Sequence, residues 1–571
     1  MVLSLSLKSF VAAALALAGT ASAASGNSVS IVGHSGVSGQ MMFLGASGKV
    51  YILDKVENNP VQINGHPAWA VEYDYNTNKY RTMAVRTNTF CAGGTSLGDG
   101  RWILTGGNKA VKHNGDTATP GAGPYDSYNG GHALRFLSPC TDESCQWVDK
   151  SSNQMQKERW YPTVEPLSDG SVAIIGGMRD GGYVTSSSSN EPSLEYYPAK
   201  GDGDAVYVDF LSRTVPLSLY PHTFMMGSGE LFMQANRETI LWNWNKNSET
   251  RLPNIPVAPR VYPASGGAVL LPLRPSNNYK ETVLFCGGMK MTNKQWGNEG
   301  GPSVMVTERD ASNSCEQISP MSSNPQYKTV DDLPEARSMG QFIILPNGKL
   351  WFGNGIATGT AGYTSDSNSV GQPVGHSFGD NPVKNHYLYD PSKPAGQRWS
   401  QVGKARVGRL YHSTATLLPD SSILISGSNP NPDYTDNAEF NTEYRVERWY
   451  PDFYNKDRPS AKDLPSKFHY GGTAFTVSFN SASDAQNAKV VLIRTGFSTH
   501  AMNMGQRMIE LRSKVNGSNL HVAQMPSNPN LFAPGPALAF VVVNGVPSQG
   551  KFVMVGNGQI GSQPTHPDSS L

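Results

Sequence analysis

Short apolar runs rich in Val, Ile, Leu and Tyr follow one another along the chain, separated by Gly, Asp and Asn. Long stretches with apolar positions at the 3.6-residue helical period are missing, so the pattern predicts an almost all-β chain. Seven tight-turn signals recur between these runs: Ser47-Gly48, Asp99-Gly100, Asp169-Gly170, Ser228-Gly229, Asn277-Asn278, Asn347-Gly348 and Asp420-Ser421. Such dipeptides supply the positive φ angles of a tight hairpin. Several of the strands that follow end in small residues, as in Gly100–Gly107, Gly170–Gly177 and Gly348–Gly355. Paired glycines let a strand end lie close to a neighbouring backbone.

Successive turn signals lie 49 to 73 residues apart, near the kelch repeat of about 50 with insertions. Aromatic runs at Val50–Asp54, Leu194–Pro198, Ile240–Trp244 and His386–Asp390 are expected to be outer strands of the repeats. Seven turns predict a seven-bladed kelch-like β-propeller of four-stranded blades. The repeats stop near Tyr450, and Tyr450–Pro459 reads as a linker. Beyond it, runs over 473–479, 489–494, 508–511, 520–523, 537–543 and 550–555 predict a small immunoglobulin-like β-sandwich. The expected division is a leader at 1–23, a propeller over 24–455 and a sandwich over 460–571.

Composition narrows the setting. Lys8 precedes an apolar run from Phe10 to Ala18, and Ala21-Ser22-Ala23 completes a secretory signal pattern, too short to span a bilayer. The protein is therefore expected to be secreted and extracellular. A net charge of +1, with 16% charged residues and no basic block, gives no reason to expect nucleic acid or membrane as a partner. A glycosylation sequon, Asn516-Gly-Ser518, falls in the sandwich, where a surface loop would carry it.

Five cysteines sharpen the picture. In an oxidising compartment, proximity favours the pairs Cys140–Cys145 and Cys286–Cys315, with connectivity left open. Cys91 is left over, either as a buried free thiol or as a sulfur put to chemical use.

Four segments then stand out: Asn88–Gly94, Arg159–Thr163, Gly408–Ser413 and Thr495–Arg507, with Leu333–Met339 as a fifth. In this order and spacing the chain resembles the galactose oxidase and glyoxal oxidase group of copper-radical oxidases, closest to glyoxal oxidase. The resemblance implies one copper ion, held by Tyr161, Tyr411, His412 and His500. It further implies that Cys91 is joined to the Tyr161 ring by a thioether, forming a protein-derived radical cofactor. His500 would come from the C-terminal domain, on a loop that reaches up the propeller axis. Catalytic roles would fall to Tyr161, Cys91 and Tyr411, the last as general base. The chemistry agrees with this set. A two-electron oxidation exceeds what one Cu(II) accepts, imidazole suits copper, and a metal ion lowers the pKa of a ligating group.

The activity so implied is oxidation of small aldehydes, of the glyoxal or methylglyoxal type, to carboxylic acids with O2 reduced to hydrogen peroxide. Extracellular peroxidases would be coupled partners. Galactose oxidases carry an additional sandwich before the propeller and a tryptophan over the cross-linked tyrosine. Here the repeats begin soon after the leader, and Gly176–Asp180 puts Arg179 at the tryptophan's place. What covers the Tyr161 ring stays open. Arg337 and Arg159 are candidate substrate contacts, weighed against ordinary surface or inter-blade salt bridges. Two other readings stand beside this one: a primary-alcohol or galactose oxidase with the same copper site, and a non-catalytic kelch-type binding module.

Overall fold

A computed structural model describes residues 26–112, 116–121, 125 and 127–571; the expected leader at 1–23 lies outside the described residues. Among the described residues, α-helix is confined to Asp209–Arg213 and Ala482–Gln486, and no helix is long and apolar enough to cross a membrane.

Seven antiparallel sheets succeed one another along the chain. Their innermost strands are Met41–Ala46, Gly93–Ser96, Thr163–Pro166, His222–Met225, Gly267–Leu270, Gln341–Ile344 and Thr414–Leu417. Each of the seven predicted turns lies between the first and second strands of one sheet. The aromatic runs are placed differently from expectation. Three of them occupy the third strand, and Val50–Asp54 overlaps the second. Fourth strands such as Lys79–Met83 and Ser248–Leu252 lie outside them and are more polar and exposed. Aromatic side chains belong where both faces of a sheet meet a neighbour, which the rim does not offer.

Each sheet packs on the next. Phe43 stacks on Trp102 at 4.2 Å between the first two, and the Met225 amide donates to Glu165 at 2.8 Å between the third and fourth. Thr239 and Tyr327 share a 2.7 Å hydrogen bond between the fourth and fifth, and Gln341 donates to the Ser413 carbonyl at 2.6 Å between the sixth and seventh. Thr414 Oγ1 donates to the Gly39 carbonyl at 2.8 Å, bringing the last sheet against the first. The seventh sheet takes its fourth strand from the start of the described chain, Ser28–His34, which pairs antiparallel with Arg445–Tyr450.

The C-terminal region forms two sheets. One runs Lys467–Phe468, Lys551–Val555, Gly535–Val543, Ala488–Arg494 and Arg507–Glu510; the other holds Phe475–Ser478, Asn519–Val522 and Ser513–Asn516. Strand Ala488–Arg494 is apolar on both faces. Val490 and Leu492 join Val477, Leu520 and Val522 in the core of the region, whereas Val491 and Ile493 join Ile343, Leu345 and Leu418 of the preceding sheets. Burying such a side chain is worth about 1.5–3 kcal/mol, so this region is docked rather than tethered. The predicted disulfide pairs are both formed. Asn516 is exposed at the end of a hairpin strand.

Beyond Arg494 the chain leaves this sheet as a hairpin, Phe497–Thr499 and Met502–Met504, and Ser498 pairs with Met42 of the first sheet. The hairpin touches the innermost strands of the first, second, third, fifth, sixth and seventh sheets. A segment of the C-terminal region thus stands among the inner edges of the sheets.

Candidate metal centre

Loops leading into the innermost strands, together with this hairpin, converge on one buried cluster. Two glycines bring the first loops together. A Cβ at Gly106 would collide with the Arg159 carbonyl and one at Gly107 with the Asn88 carbonyl, so the segments bearing Cys91 and Tyr161 lie against one strand end. The Tyr161 amide then donates to the Cys91 carbonyl at 3.0 Å. Cys91 and Tyr161 hold φ of 55° and 62°, and His500 and Ala501, the two residues of the hairpin tip, hold 49° and 68°. Left-handed backbone at non-glycine residues costs on the order of 1–3 kcal/mol each and persists where the surroundings over-determine it. Here it aims sulfur, phenol and imidazole at one point.

The functional atoms are close. Tyr161 Oη lies 3.3 Å from Tyr411 Oη, and Tyr411 Oη lies 3.1 Å from His500 Nε2. Cys91 Sγ is 3.3 Å from His500 Nε2 and 4.0 Å from Tyr411 Oη. One ligand atom each from Cys91, His412 and His500 fall within 4.8 Å of one another. All five sequence-predicted residues, Cys91, Tyr161, Tyr411, His412 and His500, are therefore in one place, and none is more than 4% exposed.

The donor set fits a metal ion. His412 Nδ1 faces the Asn429 carbonyl at 3.2 Å; a carbonyl only accepts, so the ring proton sits on Nδ1. The Nε2 lone pair is then buried without a partner, which costs about 1–3 kcal/mol unless something fills it. Burial pushes the Cys91 thiol and the Tyr161 and Tyr411 phenols up, and it pushes the imidazoles down, His500 to about 3. The cluster is thus neutral, with imidazole lone pairs ready to donate and phenols that only a neighbouring cation would ionise. Two imidazoles and two phenols suit copper better than calcium or magnesium.

A cavity of about 120 Å³ opens beside Tyr161 and Tyr411, walled by Phe90, Trp160, Tyr183, Tyr262 and Tyr363, with Glu299 bordering it. Tyr262 lies flat on the Tyr161 ring, centroids 4.7 Å apart at 26°, and its Oη is 3.5 Å from Tyr161 Oη. This is the ring cover that Arg179 left open. Arg179 instead donates to the Ser188 carbonyl. Tyr220 closes another side, edge-on to Tyr161 at 5.3 Å and donating to the Ala92 carbonyl at 3.0 Å. Neither Tyr262 nor Tyr220 was expected. A signal for both is present, because Tyr161, Tyr220 and Tyr262 each precede a proline just before an innermost strand.

The two arginine candidates are corrected. Arg159 is fully buried, donating to Glu195 at 2.8 Å and to the Gly176 and Ser193 carbonyls. Arg337 is likewise buried, donating to the Asn354 and Asn385 carbonyls at 3.1 Å. Neither lines the cavity. Their charge is spent inside the sheets, so they anchor loops rather than meet a substrate.

Comparison with known proteins agrees with this architecture. The galactose oxidase-like Early set domain family matches residues 458–555, which defines the class of the C-terminal region. The family described as Glyoxal oxidase N-terminus matches residues 54–453, and the chain belongs to the glyoxal oxidase family. The chain is 30% identical over 503 residues to "Aldehyde oxidase GLOX" of Vitis pseudoreticulata, covering 86% of each. It is 26% identical over 495 residues to a galactose oxidase of Gibberella zeae, covering 83% of this chain and 62% of that one. A fungal alcohol oxidase solved in complex with copper superposes with a TM-score of 0.68 at 17% identity, over 91% of this chain and 98% of the other; it shares the fold.

Proposed function

We propose that this protein is a secreted copper-radical oxidase that converts small aldehydes to carboxylic acids and reduces O2 to hydrogen peroxide. The seven sheets are read as the blades of a closed propeller, with the C-terminal domain supplying one ligand along its axis. Tyr161, Tyr411, His412 and His500 would hold one copper ion, and Cys91 would be thioether-linked to Tyr161. The observation that carries the reading is the convergence of these five side chains around the partnerless His412 Nε2.

A bound copper ion would supply a one-electron acceptor and a Lewis acid, and the linked Cys91–Tyr161 pair would hold the second oxidising equivalent that a two-electron oxidation needs. The rest falls to the chain's own side chains. The aromatic walls admit a small substrate and exclude water, which strengthens polar interactions inside. Tyr411 Oη, which the bound cation would hold as a phenolate, is the general base that takes the proton of the substrate hydroxyl, that of a hydrated aldehyde RCH(OH)2. Tyr161 Oη, 3.3 Å away, receives the hydrogen from the substrate carbon. His412 and His500 stay neutral because burial penalises their charged forms. The balance is RCH(OH)2 + O2 → RCOOH + H2O2. Peroxide released outside the cell would serve extracellular peroxidases.

The test is peroxide release by copper-loaded protein on glyoxal, methylglyoxal, benzyl alcohol and galactose, with metal content measured on the same sample. Turnover of the aldehydes is expected. Turnover of galactose or benzyl alcohol without the aldehydes would move the protein to the alcohol-oxidising branch, and no peroxide from any substrate would leave a binding module.

A further inference from the structure

His500 and Cys91 reach the centre from opposite ends of the chain, yet both are tied to one residue. Gln40 lies just before the innermost strand of the first sheet, the strand that pairs with the His500 hairpin. It is 1% exposed. Its Nε2 donates to Cys91 Sγ at 3.6 Å, and its carbonyl accepts from Thr499 Oγ1 at 3.0 Å. Thr499 Oγ1 in turn lies 2.6 Å from His500 Nδ1.

The proton inventory of this chain fixes its direction. A carbonyl only accepts, so the single hydroxyl hydrogen of Thr499 is spent on Gln40. Thr499 Oγ1 must then accept from His500, which puts the ring hydrogen on Nδ1 and leaves the Nε2 lone pair toward the cluster. At the other end the amide hydrogen points at sulfur. A thiol can donate or accept, whereas a thioether can only accept, so this bond survives conversion of Cys91 from one to the other. The contact between the Cys91 S–H and His500 Nε2 would not survive it, and the imidazole lone pair would be released.

We propose that Gln40 and Thr499 form a positioning clamp that fixes the His500 tautomer and aims the Cys91 sulfur, coupling the C-terminal hairpin to the Cys91 loop. This rests on the copper-radical reading above. Neither residue lines the cavity beside Tyr161 and Tyr411. Formation of the thioether joins sulfur to a Tyr161 ring carbon with loss of the S–H and ring C–H hydrogens, and O2 takes the two electrons and two protons as H2O2. Outer partners that orient a ligand are worth about 10- to 100-fold in metal affinity.

The experiment uses full-length protein prepared without copper, then given Cu(II) in air. Intact mass follows the loss of two hydrogens with time, a chelator competition gives copper affinity, and Cu(II) electron paramagnetic resonance reports the ligand field. Thr499→Val is expected to weaken copper binding about 10- to 100-fold and to alter the resonance, with Thr499→Ser restoring both. Gln40→Leu, which keeps the backbone carbonyl, is expected to slow the mass loss about tenfold or more while copper affinity falls less than threefold. Thr499→Ser folds as a hydroxyl-retaining control, and melting curves identify any variant that does not. Wild-type affinity and resonance in Thr499→Val, or a wild-type cross-linking rate in Gln40→Leu, would overturn the clamp. Failure of the wild-type chain itself to bind copper or lose two hydrogens would instead overturn the oxidase reading.

Discussion

The loops that enter the third, fifth and seventh sheets share a short pattern with two opposite outcomes. In Arg159-Trp-Tyr161, Arg260-Val-Tyr262 and Arg409-Leu-Tyr411 the arginine turns into its own sheet, and the tyrosine two residues on turns to the centre. Arg159 meets Glu195 at 2.8 Å, Arg409 meets Glu447 at 2.9 Å, and Arg260 is paired with Glu316. The tyrosines have no carboxylate and instead contact one another: Tyr161 lies against both Tyr262 and Tyr411. The sixth sheet repeats the form as Arg337-Ser-Met339. One half of the loop is therefore a fixed anchor, and the other half is what the anchor presents. Charge pairing holds the first, whereas the second presents phenol oxygens to one another and to His500 at the centre.

Breaking an anchor gives the largest expected effect on stability. Arg409→Leu strands a Glu447 carboxylate that is 0% exposed and should cost about 3–5 kcal/mol, read from denaturant midpoints. Adding Glu447→Leu should recover most of it, because a buried pair and an apolar pair are often nearly equal. A double variant as unstable as the single one would show that Arg409 acts through its carbonyl contacts. Changing the presented half should do the reverse. Tyr411→Phe should slow turnover by roughly a hundredfold or more, as loss of a general base does, with copper content retained; unchanged turnover would remove Tyr411 from that role.

The stacked cover should matter less. A parallel aromatic pair is worth about 0.5–1.5 kcal/mol, so Tyr262→Ala should lower turnover roughly two- to tenfold, and Tyr262→Phe should stay near wild type. Equal losses in the two would assign the effect to the hydroxyl rather than the ring. The smallest effect concerns a looser pair. Glu165 sits 3.8 Å from Arg507, and burial, only partly offset by Arg507, raises its carboxyl to about 7. A raised carboxyl binds its proton more tightly in the fold than in the unfolded chain. Its contribution to stability is present near pH 4.5 and is lost as pH rises towards 7. Glu165→Gln should flatten that slope in melting temperatures across this window; an unchanged slope would show that Glu165 does not titrate there.

The turns were legible because their signal is local: Asp-Gly or Asn-Gly carries its backbone preference wherever it lies. The rank of a strand within its sheet was not, since Val50–Asp54 and Leu194–Pro198 look alike and differ only in how many strands lie outside them. The five centre residues could be read only as an ordered set, because Cys91 and His500 are 409 positions apart and each alone is unremarkable. The arginines misled because a guanidinium near the site residues invites a substrate role. For Arg159 the partner carboxylate, Glu195, lies 36 residues downstream on the third strand of the same sheet, and Arg337 gives its donors to backbone carbonyls 17 and 48 residues downstream. Tyr262 was missed because it supplies a face rather than a ligand atom, and faces have no spacing rule.

The hairpin tip that carries His500 has a temporal meaning as well as a spatial one. A ribosome delivers Cys91, Tyr161, Tyr411 and His412 long before it delivers residue 500. A chain that ends between His412 and His500 holds the sulfur, both phenols and one imidazole but lacks the second imidazole, so the proposed ligand set is complete only once residue 500 has been added.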